Sequence, residues 1–328
     1  MKKHKYIKDI VFFAIILVLV LVMLYSGLQI LESTVLYHGQ EQEGTIPSKT
    51  IVENGVAYFP RQDITVVLVM GIDRFGPVEE SEFYTNTGAA DVDVLVIFDQ
   101  AKHKIDMLYL NRDTMLTMPV LGIGGKEAGT YFGQLALAHT YGSGLADSCE
   151  NTRKAISNFL GGVRIDYYVS MNMDTIAILN DAVGGVTVNV TEDFSKVDST
   201  IGMGEVTLMG QQAINYVRTR KDVGDQLNLT RIERQKDYIV GFAESFRKKQ
   251  EANSSFVLSI YEDVEPYIVT NCSAKVLSSL LSKYASFDIG QIVSPKGENV
   301  MGEKYFEFYV DKENLHQLVL QMFYAPKE

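Results

Sequence analysis

The sequence predicts an α/β fold in which helices cover a central β-sheet, with one transmembrane helix before it. Three features of the 328 residues support this prediction: an apolar run near the N-terminus, short β-branched apolar runs from residue 64 onward, and helical segments that alternate with those runs. Strands that alternate with helices are typical of a sheet whose faces are covered by helices. The length suits one large domain or two small ones.

A membrane anchor is expected at residues 10–31. Residues 10–24 are an unbroken apolar run, and its extension to residue 31 reaches the length of about 20 residues that crosses a bilayer. Lysines precede the run, so residues 1–9 are expected in the cytoplasm and the rest of the chain outside, in a single-pass protein of the cell membrane. The alternative is a cleaved signal peptide, but no small-residue cleavage site follows the run.

The chain after the anchor divides into three parts. Residues 32–62 predict an extracytoplasmic stalk, because they include the polar stretch "HGQEQEGTIPSKT" and show no sustained apolar period. Residues 63–250 predict an α/β catalytic domain. Residues 251–328 predict an α/β extension that packs on the same domain.

Apolar runs in the domain predict strands at residues 64–70, 93–99, 104–110, 165–172 and 185–190. The second and third runs are separated by a polar turn, which predicts a hairpin or two neighbouring strands. Helices are predicted at residues 148–162, 173–185, 208–220 and 230–249. The extension adds a helix, a strand and a closing helix, at residues 273–285, 304–310 and 311–324.

Composition and motifs exclude several classes of protein. The net charge of −11 argues against a nucleic-acid-binding protein, because phosphates along a duplex require a broad basic surface. The histidines are scattered without metal-ligand spacing, and the sequence has no HExxH, GxSxG or Walker motif. Zinc peptidases, α/β-hydrolases and P-loop proteins are therefore unsupported.

The sequence contains two cysteines, Cys149 and Cys272. An even number of cysteines outside the cell permits a disulfide. The alternative is two unpaired buried thiols, and the sequence leaves both open.

Arginines crowd together in one short stretch of this acidic chain: Arg218, Arg220, Arg231 and Arg234. Thr230 and Glu233 match a capping box, which predicts that the last two arginines lie in the first turn of a helix. Cations there oppose the helix macrodipole, and a bound phosphate would resolve the conflict. The first two arginines end the preceding predicted helix, so one loop could bring both pairs to one anion site. The alternative is a salt-bridge network with nearby acidic residues.

Charged residues also follow or open the predicted core strands. Asp73 follows the first strand, and Asp91 and Asp93 open the second. Arg112 and Asp113 follow the third strand. Charged groups at strand ends of an α/β fold often line a ligand crevice, and carboxylates near arginines suit Mg²⁺ bound together with phosphate oxygens. The alternative is that these acids cap helices or pair with the arginines.

Six pieces of the sequence carry a further signal when they are taken in order. They are "VLVMGIDR" (67–74), "DVDVLVIFDQAKHKIDMLYLNRDT" (91–114), "LALAHTYGSG" (135–144), "IDYYVSMN" (165–172), "LNDAVGGVTVNV" (179–190) and "LMGQQAINYVRTR" with the Asp, Arg and Gln residues that follow it (208–235). As an ordered set they resemble the LytR-CpsA-Psr family of bacterial envelope proteins. The resemblance spans about residues 64–245, and a single N-terminal anchor is also typical of this family.

The resemblance implies an α-β-α sandwich with a mixed central sheet and a hydrophobic tunnel for a lipid. It implies transfer of a phospho-glycopolymer from a polyprenyl (undecaprenyl) pyrophosphate carrier to a peptidoglycan hydroxyl, with release of polyprenyl phosphate. The expected partners are therefore the lipid-linked glycopolymer, peptidoglycan and the membrane. Two alternatives stay open: a pyrophosphatase that uses water as the acceptor, and a non-catalytic envelope regulator that binds polyprenyl phosphate.

The resemblance also implies roles for single residues. Mg²⁺, or Mn²⁺ in its place, would lie on Asp73 and Asp91, with Asp93 as the alternative acid. The pyrophosphate would be bound by a set of polar side chains: Arg112, Arg218, Arg220, Arg231, Arg234 and Gln235. The residues expected to act in catalysis are Arg112, Arg218, Arg220 and Asp225. Asp225 would position or deprotonate the acceptor hydroxyl.

This chain departs from the family pattern at two points. Ala89 stands where the family often has an arginine, so one pyrophosphate contact is missing or is supplied by Arg74. The stretch between Asp225 and Arg231 is longer than usual. That length leaves the contacts of Arg231 and Arg234 open.

Overall fold

The computed structural model describes residues 50–83, 85–219, 221–224, 228–253, 256–272, 276, 283–284 and 287–326. The predicted cytoplasmic tail, the predicted membrane anchor and most of the predicted stalk lie outside the described residues. Most of the helix predicted at residues 273–285 also lies outside them. Within the described ranges, every helix is too short or too polar to cross a membrane.

A mixed β-sheet forms the centre of the fold. Its strands are β3 Ile64–Ile72, β4 Ala90–Asp99, β5 Lys104–Leu110, β8 Tyr167–Asn172, β11 Ile268–Thr270 and β12 Asp288–Val293. Their order across the sheet is β11-β8-β3-β4-β5-β12. The pairs β3–β4, β4–β5 and β8–β11 are antiparallel, whereas β3–β8 and β5–β12 are parallel. The predicted mixed sheet is therefore confirmed.

Four predicted strands match β3, β4, β5 and β8 in this sheet. The fifth, at residues 185–190, forms β9 Val186–Val190, but it pairs with β10 Gly204–Leu208 outside the central sheet. Alternate residues of β9 are buried and exposed. That pattern fits a small sheet with one solvent-facing side, because strands of a sheet covered on both faces are buried throughout.

The α-helices of the described residues are α1 Ala146–Phe159, α2 Asp174–Ala182, α3 Gln211–Arg218, α4 Asn228–Ala252, α5 Phe256–Val264 and α6 Lys312–Phe323. Helices α1 to α4 and α6 correspond to predicted helices. The predicted capping box is corrected, because α4 begins at Asn228, two residues before Thr230. Asn and Thr are both favoured at helix starts, so the sequence pattern did not separate them.

The helices pack on both faces of the sheet and enclose two hydrophobic cores. Val94 and Val96 of β4 face one core, which also contains buried residues of α2, α3, α4 and α5. Leu95 and Ile97 face the other core, which contains buried residues of α1 and α6. The alternation follows from the two-residue period of a strand. The result is the predicted layer order of helices, sheet and helices.

The two cysteines lie on opposite sides of the sheet. Cys149 belongs to the core with α1 and α6, and Cys272 belongs to the other core. Both are free buried thiols, and burial raises the pKa of each to about 12. The disulfide that the sequence permits is therefore not formed, and the alternative of two buried thiols holds.

Smaller sheets surround the centre. They are formed by β1 Ile51–Glu53 and β2 Val56–Pro60 with β15 Tyr324–Pro326, by β6 Met115–Leu121 with β7 Glu127–Gln134, and by β13 Gly297–Met301 with β14 Phe306–Val310. The first sheet corrects the stalk prediction for residues 51–60. These residues are ordered by pairing with the C-terminal end of the described chain, which no local sequence pattern reveals.

Candidate functional site

Charged residues from three adjacent strands meet at one edge of the central sheet. Ile72, near the end of β3, pairs with Ala90 at the start of β4, and Leu110, at the end of β5, pairs with Asp93. The residues that follow or open these strands are Asp73, Asp91 and Arg112. Antiparallel pairing therefore brings together the charged residues that the sequence singled out.

Asp91 is the extra residue of a β-bulge. Gly71 pairs with Val92, whereas the next residue, Ile72, pairs with Ala90, so Asp91 has no direct partner on β3. A bulge turns a side chain away from the regular alternation of the strand, and here Asp91 and Val92 both line one cavity. The strands approach closely at this point: a Cβ atom on Gly71 would lie 3.1 Å from Cβ of Val92.

Two arginines hold the Asp91 carboxylate. Oδ1 accepts a short hydrogen bond from Nη1 of Arg112, and Oδ2 lies 2.9 Å from Nη1 of Arg231. Nη2 of Arg231 also donates to the Asp91 carbonyl oxygen, at 3.1 Å. Burial opposes ionisation of Asp91, but the charges of Arg231 and Arg112 outweigh it and hold its pKa below the ordinary value. Asp91 is therefore a carboxylate with two guanidinium groups converging on it.

Arg218 is fixed at the same edge by two contacts. Its Nε donates to Oδ1 of Asp73, at 2.9 Å, and its guanidinium lies over the Phe75 ring, 5.7 Å from the ring centroid. The side chain is about half exposed. Its Nη1 and Nη2 donors make no hydrogen bond within the part of the chain that the structure describes. The sequence pattern missed Phe75, whose only signal is its place two residues after Asp73.

Asp93 lies on the opposite face of the sheet from Asp91. It pairs with Met70 and Leu110, which belong to the core with α1 and α6, and it is fully buried. Neither carboxylate oxygen has a hydrogen-bond partner among the residues that the structure describes. Burial, and then the charge of Asp91, raise its pKa well above the ordinary value. Asp93 is therefore corrected as the alternative metal ligand, because it is directed away from the arginines that line the cavity.

Arg234 and Gln235 serve the end of α3. Nε of Arg234 donates to the Tyr216 carbonyl, at 3.2 Å, its Nη2 donates to the Thr219 carbonyl, and its Nη1 pairs with Glu192. Nε2 of Gln235 donates to the Val217 carbonyl, at 3.1 Å. The last carbonyls of a helix have no partner within it, and these side chains supply one. These donors are engaged by the protein in the described structure, and Gln235 also lines the cavity, so pyrophosphate binding by the two residues stays a prediction.

Arg74 lies apart from the cavity beside Asp91, and two other predicted site residues are not described. Arg220 and Asp225 lie outside the described residues. Arg74 lines a smaller cavity with Asn86 and His139 and does not line the cavity beside Asp91. In the described part of the chain, Arg74 therefore does not replace the arginine that the family often has at the position of Ala89.

A mostly apolar cavity of about 190 Å³ opens at this edge of the sheet. Its apolar walls come from the sheet, α2 and α4, and they include Val94, Tyr109, Leu179, Ile239 and Phe242. Asp91, Arg218 and Arg231 form a polar border at one end. The arrangement suits a ligand with a greasy body and an anionic head, because apolar walls bind the body while a few polar groups orient the head.

Of the two carboxylates predicted to hold Mg²⁺, Asp91 has both oxygens paired with arginines, whereas Asp73 pairs with Arg218 through one oxygen. In the described ranges, no three His, Cys, Asp or Glu side chains are grouped closely enough to hold a metal ion. Mg²⁺ is commonly held by one or two carboxylates together with substrate phosphates and water. Asp73 uses Oδ1 for Arg218 and is partly exposed, and no described residue bonds to its second oxygen.

Comparison with known proteins gives a family match over most of the chain. The model of the LytR_cpsA_psr family matches residues 30–323. The chain is 28% identical over 227 residues to the polyisoprenyl-teichoic acid–peptidoglycan teichoic acid transferase TagU of Bacillus subtilis strain 168, a match that covers 68% of this chain and 65% of TagU. It is 32% identical over 161 residues to TagU of Halalkalibacterium halodurans, covering 49% of this chain and 46% of that protein. The chain therefore spans less than two thirds of the length of these curated relatives.

Solved structures share the fold. The structure of TagT bound to LI-WTA superposes with a TM-score of 0.57 at 22% identity and covers 80% of this chain and 90% of the TagT chain. The crystal structure of TagV from B. subtilis superposes with a TM-score of 0.60 at 23% identity and covers 80% and 96% of the two chains. At these identities the likeness supports the fold alone.

Proposed function

This chain belongs to the LytR-CpsA-Psr family, and we propose that it transfers a phospho-glycopolymer from a polyprenyl diphosphate carrier to a hydroxyl group of peptidoglycan. The observation that carries the proposal is the arginine-bordered end of the apolar cavity, formed by Asp91, Arg218 and Arg231. A polyprenyl diphosphate likewise combines an apolar chain with an anionic head group. TagU is named as a teichoic acid transferase, so a polymer of the teichoic acid class is the first candidate cargo.

The donor would lie with its first prenyl units in the cavity and its diphosphate at the polar border. Arg218, fixed by Asp73 on one side and by Phe75 on the other, presents there two Nη donors that no described residue engages. Arg112 and Arg231 hold the Asp91 carboxylate in the free protein. A diphosphate oxygen offers those guanidinium groups a second anionic partner, and bidentate arginine contacts suit phosphate better than lysine contacts do.

The reaction is a substitution at the glycan-side phosphorus of the diphosphate. The acceptor hydroxyl oxygen forms a bond to the glycan-side phosphorus, and the bond from that phosphorus to the bridging oxygen breaks. The bridging oxygen leaves with polyprenyl phosphate and carries the bond's electron pair. Arg112, Arg218 and Arg220 neutralise the charge that grows on the leaving phosphate, which is how positioned cations accelerate phosphoryl transfer. Asp225 positions the acceptor hydroxyl and accepts its proton.

Magnesium is part of the proposal. Asp73 and Asp91 would hold the ion, and Mn²⁺ would suit the same oxygen ligands. A bound divalent cation neutralises charge on the diphosphate oxygens. The anchor expected at residues 10–31 would keep the domain at the outer surface of the cell membrane, where a lipid-linked donor is found.

The test is transfer by the full-length chain from a lipid-linked teichoic acid to peptidoglycan in the presence of Mg²⁺. We expect polymer on peptidoglycan and release of polyprenyl phosphate. Arg112→Ala should lower the rate about 100-fold or more, as loss of a charge-stabilising donor does in other active sites. Arg164→Ala is the matched control, because Arg164 pairs with Asp166 and donates to Ile64 at the other end of β3.

The products also separate the alternatives. Free glycan phosphate with an unmodified acceptor would identify a pyrophosphatase. No turnover of the donor, together with tight binding of polyprenyl phosphate, would identify a regulator. Both outcomes contradict the transferase proposal.

A further inference from the structure

The start of α2 lies at the same edge of the sheet as the charged residues. β8 leads directly into this helix, and Asn172 at the end of β8 pairs with Ile72, the residue before Asp73. Asn172, Met173 and Thr175 line the cavity that Asp91, Arg218 and Arg231 border. The helix has nine residues, and its first residue is Asp174.

The first amides of α2 are directed away from the helix body. Asp174 and Thr175 are its first two residues, and amides at these positions have no acceptor within a helix. The neighbouring amides are used: Met173 donates to the Arg74 carbonyl and Ile176 donates to the Met173 carbonyl. The Asp174 carboxylate accepts from the Gly76 amide, at 2.7 Å, and does not line the cavity.

The Thr175 hydroxyl is buried, and no described residue bonds to it. The residue is 2% exposed, and its Oγ1 makes no hydrogen bond with any described residue. A threonine in the middle of a helix can bond its hydroxyl to a carbonyl one turn earlier, but Thr175 is the second residue and no helical turn precedes it. A buried hydroxyl that lacks this bond costs free energy that a valine at the same position would not cost. The free protein therefore gives no structural reason for a hydroxyl at this position.

We propose that the start of α2 is a phosphate subsite of the cavity, in which the Thr175 hydroxyl and the amides of Asp174 and Thr175 bind one phosphoryl group of a prenyl diphosphate. Arg218 and Arg231 bind the other phosphoryl group. The helix dipole favours an anion at this end of α2. The Thr175 hydroxyl adds a side-chain hydrogen-bond donor to the two backbone amides. The inference rests on the proposed function, because it assigns further contacts to the same donor.

The subsite would fix the donor in one direction. Guanidinium groups on one side and a helix start on the other make two distinct anion contacts, so the lipid-side and glycan-side phosphoryl groups are held in different surroundings. A prenyl alcohol engages neither contact. The subsite therefore contributes to recognition of the diphosphate and leaves binding of the prenyl body unchanged.

The test compares Thr175→Val with Thr175→Ser in the full-length chain. Valine keeps the shape and removes the hydroxyl, whereas serine keeps the hydroxyl. Geranyl diphosphate and geraniol are the probes, and calorimetry measures their dissociation constants. We expect Thr175→Val to bind geranyl diphosphate about tenfold more weakly than the wild-type protein, the loss of one hydrogen bond to a charged group. Thr175→Ser should bind it as the wild-type protein does, and geraniol should bind equally to all three proteins.

Thermal unfolding without ligand supplies an independent readout. Thr175→Val should be at least as stable as the wild-type protein, because it removes an unpartnered buried hydroxyl. The inference is overturned if Thr175→Val binds geranyl diphosphate as tightly as the wild-type protein, or if it weakens geraniol binding to the same extent. A wild-type protein that does not prefer geranyl diphosphate to geraniol contradicts the proposed function itself, and the subsite with it.

Discussion

The Asp91 carboxylate and the Arg231 guanidinium form a buried ion pair, with 2.9 Å between Oδ2 of the acid and Nη1 of the arginine. The side chains are 6% and 3% exposed. The pair joins a bulge in β4 to the beginning of α4, two elements far apart in the sequence. One contact therefore contributes to the fold and also holds positive charge beside the apolar cavity.

Removing Asp91 should destabilise the protein strongly. Asp91→Ala removes the carboxylate that pairs with the buried Arg231 guanidinium, and loss of one partner of a buried pair typically costs about 3–5 kcal/mol. Urea denaturation measures the change in the free energy of unfolding. Glu127→Ala is the control, because its pair with Lys154 is exposed and should be worth less than about 1 kcal/mol. Equal losses in the two variants would contradict a structural role for the Asp91 pair.

Asp93→Asn should raise stability at neutral pH and leave it nearly unchanged in acid. The fold raises the pKa of Asp93, by burial first and then by the charge of Asp91. Its contribution to stability is therefore complete below the pKa of the unfolded chain, about 3.9, and is lost as the pH rises through the folded-state pKa. The advantage of the variant should grow with pH by up to about 1.4 kcal/mol per unit. Urea denaturation at pH 4 and pH 8 measures it.

Asp99→Asn provides a control of opposite sign. Burial opposes ionisation of Asp99, but its bonds with Arg61 and Lys102 hold its pKa at about 2. Its contribution is present above the pKa of the unfolded chain and is lost as the pH falls through about 2. Asp99→Asn should therefore be less stable than the wild-type protein at pH 8. If Asp93→Asn instead became less stable relative to the wild-type protein as the pH rises, the Asp93 carboxylate would have a partner that stabilises its charge.

Substitutions of Arg234 and Arg218 should have opposite effects: one should lower mainly stability, and the other should lower mainly polymer transfer. Arg234→Ala removes donors from the end of α3 and leaves Glu192 without its partner, so it should cost about 3 kcal/mol of unfolding free energy. Arg218→Ala should change that free energy by less than about 1 kcal/mol, because its pair with Asp73 is exposed. Arg218→Ala should nevertheless lower polymer transfer far more than stability accounts for. Denaturation and transfer assays on both variants check this; the reverse pattern would assign the diphosphate contact to Arg234.

Phe75 should affect the transfer rate through its contact with the Arg218 guanidinium. Phe75→Leu removes the ring under the guanidinium, a contact worth about 1 kcal/mol, and should lower the transfer rate about fivefold. Phe75→Trp should restore it, since indole is the best ring for this contact. Phe83→Leu is the control, because that ring is also exposed and has no such cation over it in the described structure. Equal effects at both positions would show that loss of exposed apolar surface, and not the arginine contact, lowers the rate.

The sequence predicted the elements that are long and locally apolar. β3 and β4 carry β-branched apolar runs and β5 carries an apolar run, patterns that favour buried strands, and the predicted ranges agree with the structure. β11 and β12 were missed, because three residues in one case and a glycine-containing run in the other give weak local signals. The pairing of β2 with β15 was missed for a different reason, since the partner strand lies at the far end of the chain.

The sequence predicted which residues meet at the candidate site better than it predicted the contacts that each of them makes. Strand-end charges brought Asp73, Asp91 and Arg112 together as expected. A guanidinium that binds a ligand and one that binds helix carbonyls look alike in a sequence, so the contacts of Arg234 with the Tyr216 and Thr219 carbonyls were not predicted. The bulge that separates Asp91 from Asp93 also has no local signature, because it depends on the register of β3 against β4.

A crystal structure of the protein with a polyprenyl diphosphate tests the central claim most directly. We expect the diphosphate within hydrogen-bond distance of Arg218 at the polar border, and the first prenyl units between Val94, Tyr109 and Phe242. A lipid bound on another surface, or a diphosphate that touches none of Arg112, Arg218 and Arg231, would contradict the account.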